Sequence, residues 1–288
     1  MSDIAYRRRQ IAGVDLFFRE AGDRANPTLL LLHGFPSSSF MFRDLIPRLA
    51  DRLHLVAPDY PGFGSTESPA PGDFEYTFDR LADVIEALVD AERIDRFGIY
   101  IQDYGAPVGM RLATRRPEAV EAVVVQNGNA YEEGFSEAWA PLRDGLWRER
   151  TPATEAPIVD AFVSPDGIRA NWTAGARNPE ALCPDGWNMD RWFMSLPHRR
   201  AIQLDLLYDY RTNLALYPVF QSWLRQRRPP VLIAWGEQDP YFTVAGARAY
   251  LRDQPNAQLH LLPTGHFALE EEVDSIARLI RDFFDTEA

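Results

Sequence analysis

The sequence predicts an α/β fold, a mostly parallel sheet with flanking helices and a late helical insertion. Three observations lead there. Short, continuous apolar runs bounded by turn residues recur along the chain, as strands buried on both faces do. Stretches of helical period alternate with them, which is the pattern of βαβ units. That rhythm stops near residue 130 and resumes near residue 229.

The elements follow in order. YRRRQIAGVDLFFREAG alternates like a hairpin, with turn signals near Gly13 and Asp15. TLLLLHG (Thr28–Gly34) and HLVAPDY (His54–Tyr60) read as buried parallel strands, with a helix over Ser39–Leu49 between them. FDRLADVIEALVDAERI sets Leu81, Val84, Ile85, Leu88 and Ile94 at helical spacing. RFGIYIQD is the next strand, APVGMRLATRRPE the next helix and AVEAVVVQNGN another strand. From Tyr131 to about Arg228 no buried strand run occurs, only Trp-rich and Arg-rich helical stretches broken by Pro and Gly. PPVLIAWGEQD, TVAGARAYLRD, AQLHLLPTGH and VDSIARLIRDFF restore the strand–helix order. The expected division is a core of residues 1–130 and 229–288, eight strands in all, with a helical cap over 131–228. An insertion late in a parallel sheet is expected over the carboxyl ends of the strands, where ligands bind.

Composition narrows the function. The 288 residues carry a net charge of −12, which argues against nucleic acid or an anionic membrane as partner. With 46% apolar residues the chain can bury a large core, and a neutral or apolar small molecule is the expected partner. All 30 basic residues are Arg, so lysine Schiff-base chemistry is excluded. The single cysteine, Cys183, has no partner for an internal disulfide or a thiolate metal site. MSDIAYRRRQ lacks the apolar stretch of a signal peptide, and no run is long enough to span a bilayer, so a cytoplasmic location is expected.

Three polar residues directly follow three predicted strands: Asp103, Asp239 and His266. Asp103 alone would read as a helix N-cap. The order nucleophile, acid, histidine at strand ends argues for chemistry instead. Gly105 and Ala106 permit a tight strand-to-helix turn after it. Asn127 stands where an alternative acid would fall, with Glu132 and Glu133 slightly beyond.

With HGFPSSS (His33–Ser39), DYPGFGST (Asp59–Thr66), IQDYG, WGEQDP and PTGHF in this order, the chain resembles the aspartate-nucleophile branch of the α/β-hydrolase superfamily. That branch holds epoxide hydrolases, haloalkane dehalogenases and fluoroacetate dehalogenases. The resemblance covers nearly the whole chain and implies a covalent alkyl ester on Asp103, with His266 as base and Asp239 orienting it. No metal or organic cofactor is implied. The backbone N–H groups of Phe35 and Tyr104 are the expected oxyanion donors, and His33, Gly34 and Asn127 are candidate substrate contacts, although His33 more naturally orders its own loop. His54, His198 and His260 read as structural or solvated.

The residue types also speak to the leaving group. Ile101 and Gln102 before the nucleophile resemble haloalkane dehalogenases, but Tyr104 stands where those enzymes carry a halide-holding Trp, and Phe35 where many carry Asn. Tyr104 also replaces the Arg by which fluoroacetate dehalogenases hold a carboxylate. LLYDYRTNLALYP (Leu206–Pro218) is similar to the cap segment of epoxide hydrolases and suggests Tyr210 as proton donor, with Tyr208, Tyr217 or Tyr131 as a second. Trp139, Trp147, Trp172, Trp187 and Trp192 suggest an apolar pocket wall. Epoxide hydrolysis to a diol is therefore expected, with dehalogenation as the alternative and a non-catalytic receptor of the same fold as a third. The chain is expected to be a monomer or homodimer.

Overall fold

The structure, a computed structural model, describes residues 3–287. Met1 and Ser2 of the amino-terminal stretch, and Ala288 of the core segment, lie outside the described residues. Eight strands form one sheet in the order β1-β2-β4-β3-β5-β6-β7-β8. They are β1 (Ala5–Ile11), β2 (Val14–Ala21), β3 (Thr28–Leu32), β4 (His54–Pro58), β5 (Phe97–Gln102), β6 (Val120–Gln126), β7 (Val231–Gly236) and β8 (Gln258–Leu262). β2 pairs antiparallel with both of its neighbours, and every other pairing is parallel. The hairpin, the buried parallel strands and their number are as the sequence predicts.

Ten α-helices accompany the sheet: α1 (Ile46–Leu49), α2 (Phe78–Ala91), α3 (Gly105–Arg115), α4 (Pro152–Ile158), α5 (Pro165–Thr173), α6 (Asp185–Ser195), α7 (Arg199–Asp209), α8 (Arg211–Arg227), α9 (Val244–Asp253) and α10 (Leu269–Glu287). Side chains alternate across a strand, so each parallel strand feeds two cores. Leu30, Leu32, Ile99, Ile101, Val123 and Val125 pack with α2, α3 and α9 on one face. Leu29, Leu31, Tyr100, Val124 and Leu232 pack with α1 and α10 on the other.

One helix departs from expectation. Ser39–Leu49 is broken into a 3₁₀ turn, Ser39–Phe42, and the short α1. Pro47 sits in the first turn of α1, where its missing N–H costs nothing, whereas inside one continuous helix it would remove a bond and clash.

The sheet order reverses around β3, which lies between β4 and β5. The turns leaving β3 and β5 therefore open toward each other at the carboxyl edge, the usual place for a ligand in such a sheet. Between β6 and β7 the chain is helical and ties down onto the loops at this edge. The Arg199 guanidinium donates to the Gly64 and Thr66 carbonyls at 3.0 Å each, and Gln203 donates to the Gly62 carbonyl at 3.0 Å. Asp209 accepts from the Phe78 N–H at 2.8 Å.

Helix α2 shows how local and tertiary terms divide. Thr77 caps it, its hydroxyl accepting from the Arg80 N–H at 3.2 Å, while Leu81, Val84, Ile85 and Leu88 are fully buried. Thr77→Ala is expected to cost about 1 kcal/mol, and Leu88→Ala about 2–5 kcal/mol because it also leaves a cavity. Urea unfolding of the two variants checks the ranking.

Candidate active site

The chain turns sharply at the end of β5. Asp103 has φ +49°, a left-handed conformation that side chains other than Gly seldom adopt, and α3 begins two residues later. The turn survives because its neighbours leave no alternative. The Asp103 N–H donates to the Asn127 carbonyl at 3.2 Å, and a Cβ on Gly105 would collide with the Leu32 carbonyl. Gly34 is bare for a similar reason, since a Cβ there would run into the Asp103 side chain. The N-cap position of α3 is Tyr104, not Asp103, and its side chain makes no cap bond.

That carboxylate is buried and accepts from the Phe35 N–H at 2.7 Å and from the Tyr104 N–H. Burial raises its pKa to about 6, against the pull of His266 and the two amides. His266, also buried, sits at the end of the loop after β8. Its Nδ1 lies 2.8 Å from Asp239 Oδ2. Burial opposes charging of the imidazole, but the Asp239 and Asp103 carboxylates outweigh it and hold its pKa above the ordinary value. Asp239 Oδ1 accepts from the Tyr241 and Phe242 N–H groups at 2.7 and 3.2 Å. The structure thus brings Asp103, His266, Asp239, Phe35 and Tyr104 together.

Other expected residues fall differently. Asn127 donates through Nδ2 to Asp239 Oδ2 at 2.8 Å and accepts from the Gly236 N–H at 2.8 Å, so it braces the acid and is no substrate contact in this arrangement. His33 uses both nitrogens within the loops, Nδ1 with the Gly34 carbonyl and Nε2 with the Tyr60 N–H, and burial lowers its pKa to about 4. It is a neutral brace of the turn after β3. Glu133 pairs with Arg252 on the surface, and Glu132 is exposed. Tyr131 bonds Asp253, and Tyr208 lies under the Arg211 guanidinium, both outside the group around Asp103.

Tyr210 is fully buried, and its hydroxyl makes no hydrogen bond of ordinary geometry. Its ring packs 5.9 Å from Tyr104, 5.4 Å from Phe78, 4.7 Å from Trp139 and 6.1 Å from Trp147. Burial, helped by the charge on Asp103, raises its pKa well above the usual phenol value, which keeps the hydroxyl protonated. The Tyr217 hydroxyl is its close neighbour and is likewise buried without an ordinary bond. Of the five tryptophans expected at the pocket wall, only Trp139 and Trp147 join this group. Trp172 stacks on Phe267, Trp187 packs beside Arg169 and Trp192 is exposed.

Two glutamines complete the site and carry no role in the sequence reading. Gln102 Nε2 lies 3.0 Å from His266 Nε2, and Gln126 donates to the His266 carbonyl at 2.9 Å. Both are buried at the ends of strands, β5 wholly buried and β6 buried except at Glu121, and an amide there is costly unless it is bonded. That was the signal available. Among the described residues no group of three or more His, Cys, Asp or Glu could hold a metal ion, and no helix is long and apolar enough to cross a membrane.

A model of the α/β-hydrolase fold family matches residues 27–273, and the chain belongs to that family. It is a hydrolase of that family, and two of its relatives carry hydrolase names. It is 43% identical over 290 residues to an uncharacterized hydrolase of Saccharomyces cerevisiae, with 99% of each chain covered. It is 45% identical over 279 residues to haloalkane dehalogenase 2 of Mycobacterium tuberculosis, covering 90% of this chain and 88% of the relative. Among solved structures, a loop variant of the haloalkane dehalogenase DbeA from Bradyrhizobium elkanii superposes with a TM-score of 0.80 at 22% identity, covering 99% of this chain and 97% of that one. The epoxide hydrolase CorEH gives 0.79 at 20% identity, covering 99% and 100%. At those identities the structural likeness shows the fold.

A carboxylate whose folded pKa is raised destabilises the fold once it must ionise. The penalty is absent below pH 4 and full above about pH 6. Asp103→Asn is therefore expected to raise the melting temperature at pH 7–8, by the equivalent of up to about 3 kcal/mol, with the gain vanishing toward pH 4. Melting curves across that range check it.

Proposed function

We propose that this hydrolase opens epoxides to diols through an alkyl ester on Asp103, with residues 131–228 as a cap closing over a core of residues 1–130 and 229–288. One observation carries the choice of leaving group. The Tyr210 hydroxyl is buried and protonated against the Tyr104 ring, with the Tyr217 hydroxyl as a close polar neighbour, whereas the nearby indoles are spent on carbonyls. Trp139 Nε1 donates to the Tyr241 carbonyl at 3.1 Å and Trp147 Nε1 to the Leu207 carbonyl at 2.8 Å. An opening oxirane needs a proton at its oxygen; a departing halide needs only polarised N–H groups.

In the first step Asp103 attacks a ring carbon, the C–O bond breaks, and Tyr210 protonates the oxygen. Tyr217, whose hydroxyl adjoins that of Tyr210, is the best-placed second tyrosine. Esterification discharges Asp103 and so removes one of the two carboxylates that raise the His266 pKa. That lessens one of the pulls toward the charged imidazole and so favours the neutral base that the second step needs. His266 then takes a proton from water as the water attacks the ester carbonyl, and the Phe35 and Tyr104 N–H groups stabilise the oxyanion. The proton passes to the departing alcohol, the second water proton returns through solvent to the Tyr210 phenolate, and Asp103 is regenerated with one oxygen from water.

Dehalogenation is the second reading, favoured by the name of the mycobacterial relative. It would use the same ester but protonate nothing on departure.

Intact-protein mass spectrometry of His266→Ala decides between them. Incubation with 1,2-epoxyhexane is expected to add the mass of the whole epoxide, and the adduct should vanish in Asp103→Asn/His266→Ala. An adduct from 1-bromohexane equal to the alkyl group alone, with none from epoxides, would choose dehalogenation. In the wild type kcat/KM is expected to fall about tenfold per pH unit below pH 6, where Asp103 protonates. A profile flat down to pH 5 would contradict an Asp103 nucleophile with this pKa.

A further inference from the structure

The Gln102 carboxamide is wholly buried between the two reacting groups and is only half used. Its Nε2 sits 3.0 Å from His266 Nε2, while its Oε1 is buried with no hydrogen-bond partner. An orphaned acceptor in a dry site is costly, and it marks a place that a donor fills at some stage. Oε1 flanks Gly34 together with Asp103, since a Cβ built on Gly34 would contact both side chains. The vacant lone pairs therefore lie on the side of the nucleophile.

His266 is fixed with Nδ1 on Asp239, which leaves Nε2 as the only nitrogen able to take a proton. In the resting arrangement the Gln102 carboxamide nitrogen stands 3.0 Å from that atom. Water attacking the ester must have one hydrogen on a base, and its second hydrogen needs an acceptor if its lone pair is to stay aimed at the carbonyl carbon. Among the described residues, Gln102 Oε1 is a buried acceptor without a partner that lies against Gly34 next to the Asp103 side chain.

Resting on the ester reading above, we propose that Gln102 is the positioning residue for the hydrolytic water. The water replaces the Gln102 N–H at His266 Nε2 and donates its other hydrogen to Gln102 Oε1. Bond by bond, the water oxygen joins Cγ of Asp103, one water proton moves to Nε2, and the ester C–O bond breaks as that proton passes to the alcohol. The second water hydrogen stays on the new carboxyl group, from which Asp103 loses it to solvent, and the Tyr210 phenolate regains its proton from there. Gln102 exchanges no proton. It holds the base before the water arrives and orients the water afterwards, so it serves the second step and not the first.

Rapid-quench mass spectrometry with 1,2-epoxyhexane separates the two steps, and Gln102→Leu and Gln102→Glu are the informative variants. In Gln102→Leu, ester formation is expected within about threefold of wild type and ester hydrolysis slowed about 100-fold. The ester then accumulates, and kcat and KM fall together while kcat/KM is kept. Gln102→Glu retains an acceptor but adds a charge to those facing His266, namely Asp239 and Asp103, with Tyr241 beside them protonated. Its hydrolysis should recover to within about tenfold of wild type only at alkaline pH, and Gln102→Leu at no pH.

Equal slowing of both steps in Gln102→Leu would mean mere packing and would overturn the proposal, as would hydrolysis at the wild-type rate. Should that variant not fold, an unshifted pH limb in Gln102→Glu overturns it. If the wild type forms no ester with 1,2-epoxyhexane or 1-bromohexane, the ester reading itself falls and takes this role with it.

Discussion

Two carboxylates buried around one imidazole are the constraint on which this structure turns. Neither Asp103 nor Asp239 would stay charged in an apolar interior without compensation. Asp239 meets the requirement with donors from His266, Asn127 and the Tyr241 and Phe242 amides. Asp103 is less well served, with two backbone donors and the imidazole nearby, and burial raises its pKa. The acid that orients is therefore held fast, and the carboxylate that must attack is left poorly solvated and reactive.

The scaffold explains how such an asymmetry is held. Asp103 occupies a left-handed turn at the reversal point of the sheet, pinned by the Asn127 carbonyl and by close approach of Gly105 to β3. Asn127 itself has φ +45° and reaches with its side chain to Asp239. One residue at the end of β6 thus braces the nucleophile through its backbone and the acid through its amide. The glutamines closing β5 and β6 do the equivalent for His266, one at the ring and one at the carbonyl.

The fold was largely legible because parallel strands buried on both faces are continuous apolar runs, and TLLLL, HLVAP and VLIAW can hardly be anything else. The main polar residues of the site were legible for a related reason. Asp103, Asp239 and His266 each follow such a run, where a polar residue interrupts the pattern. Between residues 131 and 228 legibility failed. Trp139 and Trp192 look alike in the sequence, yet one packs against Tyr210 and the other is exposed. Helical period shows which residues share a face, not which neighbour that face meets.

Asn127 makes the same point inside the core. Its place after β6 marked it as near the site, but an amide that binds substrate and an amide that braces an acid have the same spacing. By itself the sequence determined the sheet, the order of its strands' polar ends and the residue types available for chemistry, because these depend on local period and burial. Tertiary structure alone decided which hydroxyls lie buried together, which indoles are already bonded and which amide faces His266. Those are three-dimensional matters of hydrogen-bond satisfaction, and each pairs groups that lie tens to hundreds of residues apart along the chain, such as Gln102 with His266.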